Sequence, residues 1–314
     1  MGRINGAEYG MNEHSLSVLI IGAGQIASGH DTQESISILT HSHAVSMHSK
    51  FNLLGFYDTN KHNATQAAAK WGVKAYDQPV HADVAVVCTP DDVHLDSVRQ
   101  VASTSPKLII LEKPVARTLE DYCKICEISK KVPIQVNFSR RFVPEFTFLS
   151  VILKNYGVFL TGSGLYGKGF IHNGSHLIDL LELLVGKIDF VKKISETHDF
   201  YEDDPTKTVC IRFSQGEFFM VGVDCRNYTV FELDLCFEKA RIRILNAGKT
   251  IEIFEPTPSE EYKGYVYLTQ RRTLHPDLGK AMLNMYQNVY EHIACGAPLL
   301  SPLRTKVPTW FFTI

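Results

Sequence analysis

Five short, nearly unbroken apolar runs punctuate the first half of this 314-residue chain: Ser17–Ile21, Phe51–Tyr57, Val84–Cys88, Leu108–Leu111 and Ile134–Asn137. Polar, helix-like stretches separate them. A strand with one wet face alternates apolar and polar residues, whereas a strand covered on both faces does not. The runs therefore predict a parallel sheet with helices on both sides, wound in two directions. In such sheets ligands sit beyond the carboxyl ends of the strands.

The rhythm changes after about residue 150. Thr208–Phe213, Glu217–Asp224, Thr229–Phe237, Ala240–Leu245 and Thr250–Phe254 follow one another with short polar breaks, and several alternate. This pattern predicts a mostly antiparallel sheet with one face open to solvent or to a partner. Two helices flank it. One follows Ser175 (HLIDLLELLV) and stops at Gly186. The other covers about 281–294, with Met282, Met285, Tyr286, Val289 and Ile293 on one stripe. The polar opening, residues 1–15, is read as a loose leader, with Met11 as an alternative start.

Composition narrows the function classes. The formal net charge of −2 gives no general pull toward nucleic acid or an anionic membrane. No apolar run reaches transmembrane length, and no signal segment opens the chain. Seven scattered cysteines predict reduced thiols and a cytoplasmic setting. Cys123 and Cys126 form a CxxC on a predicted amphipathic helix, read as ordinary thiols because no second pair stands at zinc spacing. No metal site is expected.

The first apolar run opens into Gly22-Ala-Gly24-Gln25-Ile26-Ala27, which fits G-x-G-x-x-G/A. The first glycine permits a tight turn, and the second lets backbone approach a pyrophosphate. Ala27 allows close helix–strand packing, and a helix N-terminus there offers free N–H groups. Residues 16–138 thus read as a Rossmann dinucleotide-binding domain, and 139–314 as an α+β domain for substrate binding and oligomerisation. Asp58 closes the second run, placed to accept from both ribose hydroxyls. It lies 36 residues after Gly22 instead of about 20, so the stretch from Ser28 to Lys50 reads as an insertion. A carboxylate there favours NAD(H), with NADP(H) as the alternative because Lys61 lies close by. The third run ends Cys88-Thr89-Pro90-Asp91-Asp92-Val93-His94, and the fourth ends Leu111-Glu112-Lys113-Pro114. A lysine at such a strand end can hold a substrate hydroxyl, and burial lowers its pKa toward a useful range.

GAGQIA, Asp58, CTPDDVH, EKP and a later His-rich helix start stand in the order found in the Gfo/Idh/MocA oxidoreductases, which the chain resembles over about residues 16–300. That group includes glucose–fructose oxidoreductase and inositol dehydrogenase. The resemblance implies that Lys113 contacts substrate and cofactor. It puts Thr89 and Pro90 along the nicotinamide and Glu112 near the cofactor ribose, with His94 also among the cofactor-binding residues. In the second domain Gly169–Asp179 (GFIHNGSHLID) matches a D-x-x-x-H motif, with His176 as acid–base catalyst and His172 in place of the aspartate. His176 is expected to titrate near the ordinary histidine range and to be oriented by Asp179. His172, Asn173 and Arg140 are expected against substrate, a surface or interdomain salt bridge being the competing reading for the Arg140-Arg141 pair. The apolar tail WFFTI needs a covering surface. The resemblance implies pairing between subunits through the second-domain sheet, as a homodimer or homotetramer.

The expected activity is hydride transfer between nicotinamide and a sugar, polyol or nucleotide-linked sugar hydroxyl or carbonyl. Two rivals accompany it: a nicotinamide-dependent lyase or glycosidase with no net redox change, and a non-catalytic cofactor-binding sensor or subunit.

Overall fold

The computed structural model describes residues 15–304 and Pro308. The leader before Ser15 and the WFFTI tail lie outside the described residues.

The five apolar runs form β1 (Leu16–Ile21), β2 (Phe51–Tyr57), β4 (Val84–Val87), β5 (Leu108–Leu111) and β6 (Ile134–Val136); a short edge strand, β3 (Lys74–Tyr76), completes the sheet. All pairs are parallel, in the order β3-β2-β1-β4-β5-β6. The strand direction of winding reverses between β1 and β4, which opens a crevice there. Along β1, Leu19 and Ile21 enter one core and Val18 and Ile20 the other, so both faces are buried. Helices α1 (His41–Met47), α2 (Lys61–Trp71), α3 (His94–Ala102) and α4 (Leu119–Ser129) cover it. Asn60 and Thr118 cap α2 and α4 with their side chains, and Gly72 ends α2 in the left-handed conformation.

The helix expected directly after Gly24 is replaced by one wide π-type turn, Gln25–Gly29. The insertion then runs irregularly to α1. Asp31 holds it in place, accepting from the backbone of Leu39 and Thr40 and from Nδ1 of His43 at 2.9 Å.

The second domain opens with α5 (Pro144–Ile152), then β7 (Phe159–Tyr166), α6 (Ser175–Leu184), β8 (Ile188–Thr197), β9 (Thr206–Phe213), β10 (Glu217–Gly222), β11 (Phe231–Phe237), β12 (Ala240–Leu245), β13 (Thr250–Pro258) and β14 (Val266–Leu274). The eight strands run in the order β14-β13-β12-β11-β7-β10-β9-β8. Every pairing is antiparallel except β7 with β10. One face packs into the core through Phe218, Met220, Leu233, Leu235, Ile242 and Ile244. The other leaves Leu165 and Phe219 exposed.

The end of the described chain returns to the first domain. Helix α7 (Ala281–Cys295) buries Met282, Met285, Tyr286 and Val289 in the core beside β1 and β2. Ser301–Leu303 then lies along β6, where Val136 N–H donates to Ser301 O and Leu303 N–H to Ile134 O, both at 2.8 Å.

Candidate active site

The crevice at the winding reversal is a groove of about 910 Å³. Its walls come from three strand ends: Gly22, Ala23, Gly24, Gln25 and Ile26 after β1; Asp58 after β2; and Thr89 and Pro90 after β4. Gly22 has φ +88°, and a Cβ there would meet the Cys88 carbonyl oxygen at 2.7 Å. Only glycine fits so tight a turn. Gly24 is the opposite case. Its φ is negative, and a Cβ would meet no protein atom within 4 Å. Gly24 lines the groove, so this unfilled space fits the cradle a dinucleotide requires. Asp58 reaches across: Oδ2 accepts from Ala23 N–H and Oδ1 from Asn60 N–H, each at 2.8 Å. A carboxylate offers about four lone-pair sites, so acceptor capacity remains for ribose hydroxyls. Lys61, expected to influence Asp58, pairs with Asp77 at 2.6 Å.

Four of the expected cofactor residues, Ala27, His94, Glu112 and Lys113, stand away from the groove walls. Ala27 is fully buried and packs the turn from beneath, its carbonyl accepting from Ser42 Oγ. His94 corrects the expectation drawn from the resemblance. It is buried, with Nδ1 2.8 Å from Pro114 O and Nε2 3.0 Å from Thr89 O. It ties the two strand-end loops together from behind. Glu112 lies in a buried chain of polar groups. Its Oε1 is 2.9 Å from His41 Nε2 and 2.6 Å from Asn137 Nδ2, and His41 Nδ1 meets Tyr286 OH at 3.0 Å. Burial pushes the Glu112 carboxyl up, but these hydrogen bonds and the Lys113 charge outweigh it, and it lies below its ordinary range.

Lys113, after β5, stands one strand from Thr89 at the seam between the domains. Its Nζ donates to His172 O of the second domain at 3.3 Å. Burial lowers its pKa from the ordinary lysine value, although Glu112, Asp91 and Asp204 pull the other way. His176 opens α6, its ring edge-on to Phe138. Burial, with Lys113 and Arg140 nearby, pushes it well below the ordinary histidine range. The expectation of near-ordinary titration is thus corrected: two cations and little water disfavour a third positive charge.

Asp179 does not orient His176. Both its oxygens accept from Arg141 Nε, at 2.8 and 2.9 Å, and Arg304 adds a longer contact at 3.3 Å. The salt bridge weighed for the arginine pair therefore falls to Arg141. Arg140 lies flat over the Phe231 ring at 3.7 Å and donates to Ala247 O, and burial lowers its pKa to about 10. Its Nε is buried without a hydrogen-bond partner. Asn173 is turned to Gly167 O at 2.8 Å. The His172 ring stacks on Tyr201 (4.1 Å between centroids, 15° between planes), with Nδ1 2.8 Å from Asp204 and Nε2 3.6 Å from Asp91. One ring nitrogen of His172 and the amide nitrogen of Asn173 are thus taken up by the protein itself.

Sequence reasoning missed His41, Asn137, Tyr286 and Asp204. The last lies between two strands with no motif around it; the others are joined only by the fold. Among the described residues, no three or more His, Cys, Asp or Glu side chains are arranged to hold a metal ion, and no helix is long and apolar enough to cross a membrane.

Residues 16–138 match the family model described as an oxidoreductase family with an NAD-binding Rossmann fold, Gfo/Idh/MocA. The match covers the N-terminal domain, which is thus similar to the Rossmann domain of the Gfo/Idh/MocA family. Two curated relatives are 28% and 32% identical to this chain over the aligned parts. Inositol 2-dehydrogenase of Rhizobium meliloti (strain 1021) aligns over 134 residues, 40% of this chain and 37% of the relative. The rhizopine catabolism protein MocA of Rhizobium meliloti aligns over 82 residues, 24% of this chain and 26% of the relative. The aligned parts thus span well under half of either relative. Solved structures of the same fold extend over both domains. UDP-N-acetylglucosamine 3-dehydrogenase from Acidithiobacillus ferrooxidans superposes with TM-score 0.73 at 14% identity, covering 93% of each chain. Levoglucosan dehydrogenase, solved with NADH and L-sorbose, gives TM-score 0.72 at 16% identity over 91% of this chain and 92% of that one. At such identities they share the two-domain fold, and that alone is carried over.

Proposed function

We propose that this protein is an NAD(H)-dependent oxidoreductase interconverting a hydroxyl and a carbonyl on a sugar or polyol, nucleotide-linked sugars included. One observation carries the reading: a lysine whose ammonium is partly deprived of water stands at the seam, one strand from a groove with an open glycine cradle. Gly22, Gly24, Gln25 and Ile26 would line the pyrophosphate, Asp58 the ribose, and Thr89 and Pro90 the nicotinamide. When bound, that group supplies acceptance or donation of one hydride.

The residues of this chain handle the oxygen and its proton. Lys113 donates a hydrogen bond to the substrate oxygen and offsets negative charge developing there. His176, kept neutral by its surroundings, is in the form that accepts the hydroxyl proton in oxidation. Arg140 supplies a fixed positive charge behind it. Glu112 acts from beneath, through its charge on Lys113. Asp58 favours NAD(H), since a 2′-phosphate would meet its carboxylate and Lys61 is turned to Asp77. The bare face of the eight-stranded sheet supports a homo-oligomer, and the free cysteines support a reducing compartment.

The first test is titration with NADH and NADPH, followed by nicotinamide fluorescence, with a screen of sugars and polyols for NAD reduction. NADH is expected to bind more tightly. Lys113→Met is expected to lower kcat by about 100-fold or more while leaving NADH affinity within about twofold. Turnover surviving in that variant overturns the assignment of Lys113.

A further inference from the structure

The connection between β8 and β9 reaches the seam through three side chains. Tyr201 stacks on the His172 ring. Asp203 pairs with Arg117 at 2.6 Å, and Arg117 holds Asp91 of the first domain at 2.8 Å. Asp204, 3% exposed, faces the loop Gly169–Gly174 that enters α6. Its oxygens accept from Ile171 N–H at 2.9 and 3.1 Å, from His172 N–H at 2.9 Å, and from the His172 ring at 2.8 Å. That loop forms a single π-type turn, and one carboxylate holds both its backbone and its ring. A carboxylate bonded this often is a strong and rigid anchor. The carbonyl of the same His172 accepts the Lys113 ammonium.

We propose that Asp204 is a positioning residue for Lys113: it fixes the Gly169–Gly174 loop so that the His172 carbonyl holds the ammonium at the seam. The proposal rests on the reading of Lys113 as the lysine that binds the substrate oxygen. Asp204 touches neither the groove nor Lys113 through a hydrogen bond, so its effect passes through the loop and through its charge. The carboxylate that the D-x-x-x-H pattern would place at position 172 is supplied here from a different strand connection.

The test reads Lys113 without needing turnover. The protein is labelled with acetic anhydride across a pH series, and modification of Lys113 is followed by mass spectrometry. Asp204→Asn keeps the shape and removes the charge. Its Lys113 labelling midpoint is expected to fall by about one pH unit, because a nearby anion that favoured the ammonium is gone. An unchanged midpoint overturns the proposal. On an active substrate, kcat is expected to fall by about tenfold or more with NADH affinity kept, and Asp204→Glu is expected to restore the midpoint. If the asparagine variant does not fold, amide exchange in the unmutated protein decides. Strong protection of the Ile171 and His172 amides supports the anchor, and exchange as fast as the exposed turn around Tyr262 overturns it. Failure of the functional reading looks different: no sugar or polyol is turned over, yet the labelling midpoint still moves in Asp204→Asn.

Discussion

Gly22 and Gly24 are two residues apart and face opposite demands. At Gly22 a side chain collides with the end of β4 and strains a left-handed backbone; at Gly24 it enters open space. Gly22→Ala is therefore expected to destabilise the fold by on the order of 2 kcal/mol, read by urea unfolding. Gly24→Ala is expected to keep stability within about 0.5 kcal/mol and to weaken NADH binding by about tenfold or more. Equal loss of stability in both variants would contradict the cradle. The motif was legible in the sequence because both requirements are local. The roles of His94 and Asp179 were not. A histidine between two carbonyl groups and an aspartate claimed by two arginines are products of long-range packing. Nothing within a few residues of either announces it.

At the scale of elements, the buried parallel strands were readable nearly to the residue, since both faces must be apolar. Three strands of the second domain escaped. β7 (FLTGSGLY) carries two glycines, a threonine and a serine, β14 is exposed along nearly its whole length, and β8 is exposed at most positions. Their pairing comes from neighbours and not from their own pattern. One loop-to-strand junction in the first domain has a measurable pH signature. Asp83, just before β4, accepts from Ser17 N–H at 2.8 Å and Ser17 Oγ at 2.7 Å, and pairs with Lys107 at 2.8 Å. Burial alone would raise its carboxyl, but these partners outweigh it and hold it at about 2, against an ordinary value of 3.8. Because the folded value is the lower, the stabilisation is complete above about pH 4 and is lost as pH falls through about 2. Asp83→Asn is expected to lose on the order of 2 kcal/mol at pH 7 and to converge with the unmutated protein toward pH 2, measured by urea unfolding across that range.

At the scale of the whole molecule, the two domains are not independent pieces of chain. Helix α7 and the Ser301–Leu303 segment belong in sequence to the second half and in space to the first. A chain ended at residue 138 leaves the α7 face of the first domain uncovered around Val45 and Phe51. It is expected to bind hydrophobic dye and to show no cooperative thermal transition, where the full chain shows one. A sharp transition in the fragment, together with NADH binding, would show that α7 only decorates the surface.

The same return of the chain has a consequence in time. The His41–Tyr286 hydrogen bond joins residues 245 apart. During synthesis the parallel sheet leaves the ribosome long before the helix that closes it. At about 5–20 residues per second the gap is roughly 10–30 seconds. Throughout that interval an apolar flank stands open, and Glu112, the residue before the proposed substrate lysine, lacks one end of its polar chain. On the proposed function, nucleotide binding and the finished lysine environment thus mature together, only once α7 has emerged. A nascent chain stalled before α7 keeps that flank open and is a natural client for whatever shields exposed apolar surface in the cell.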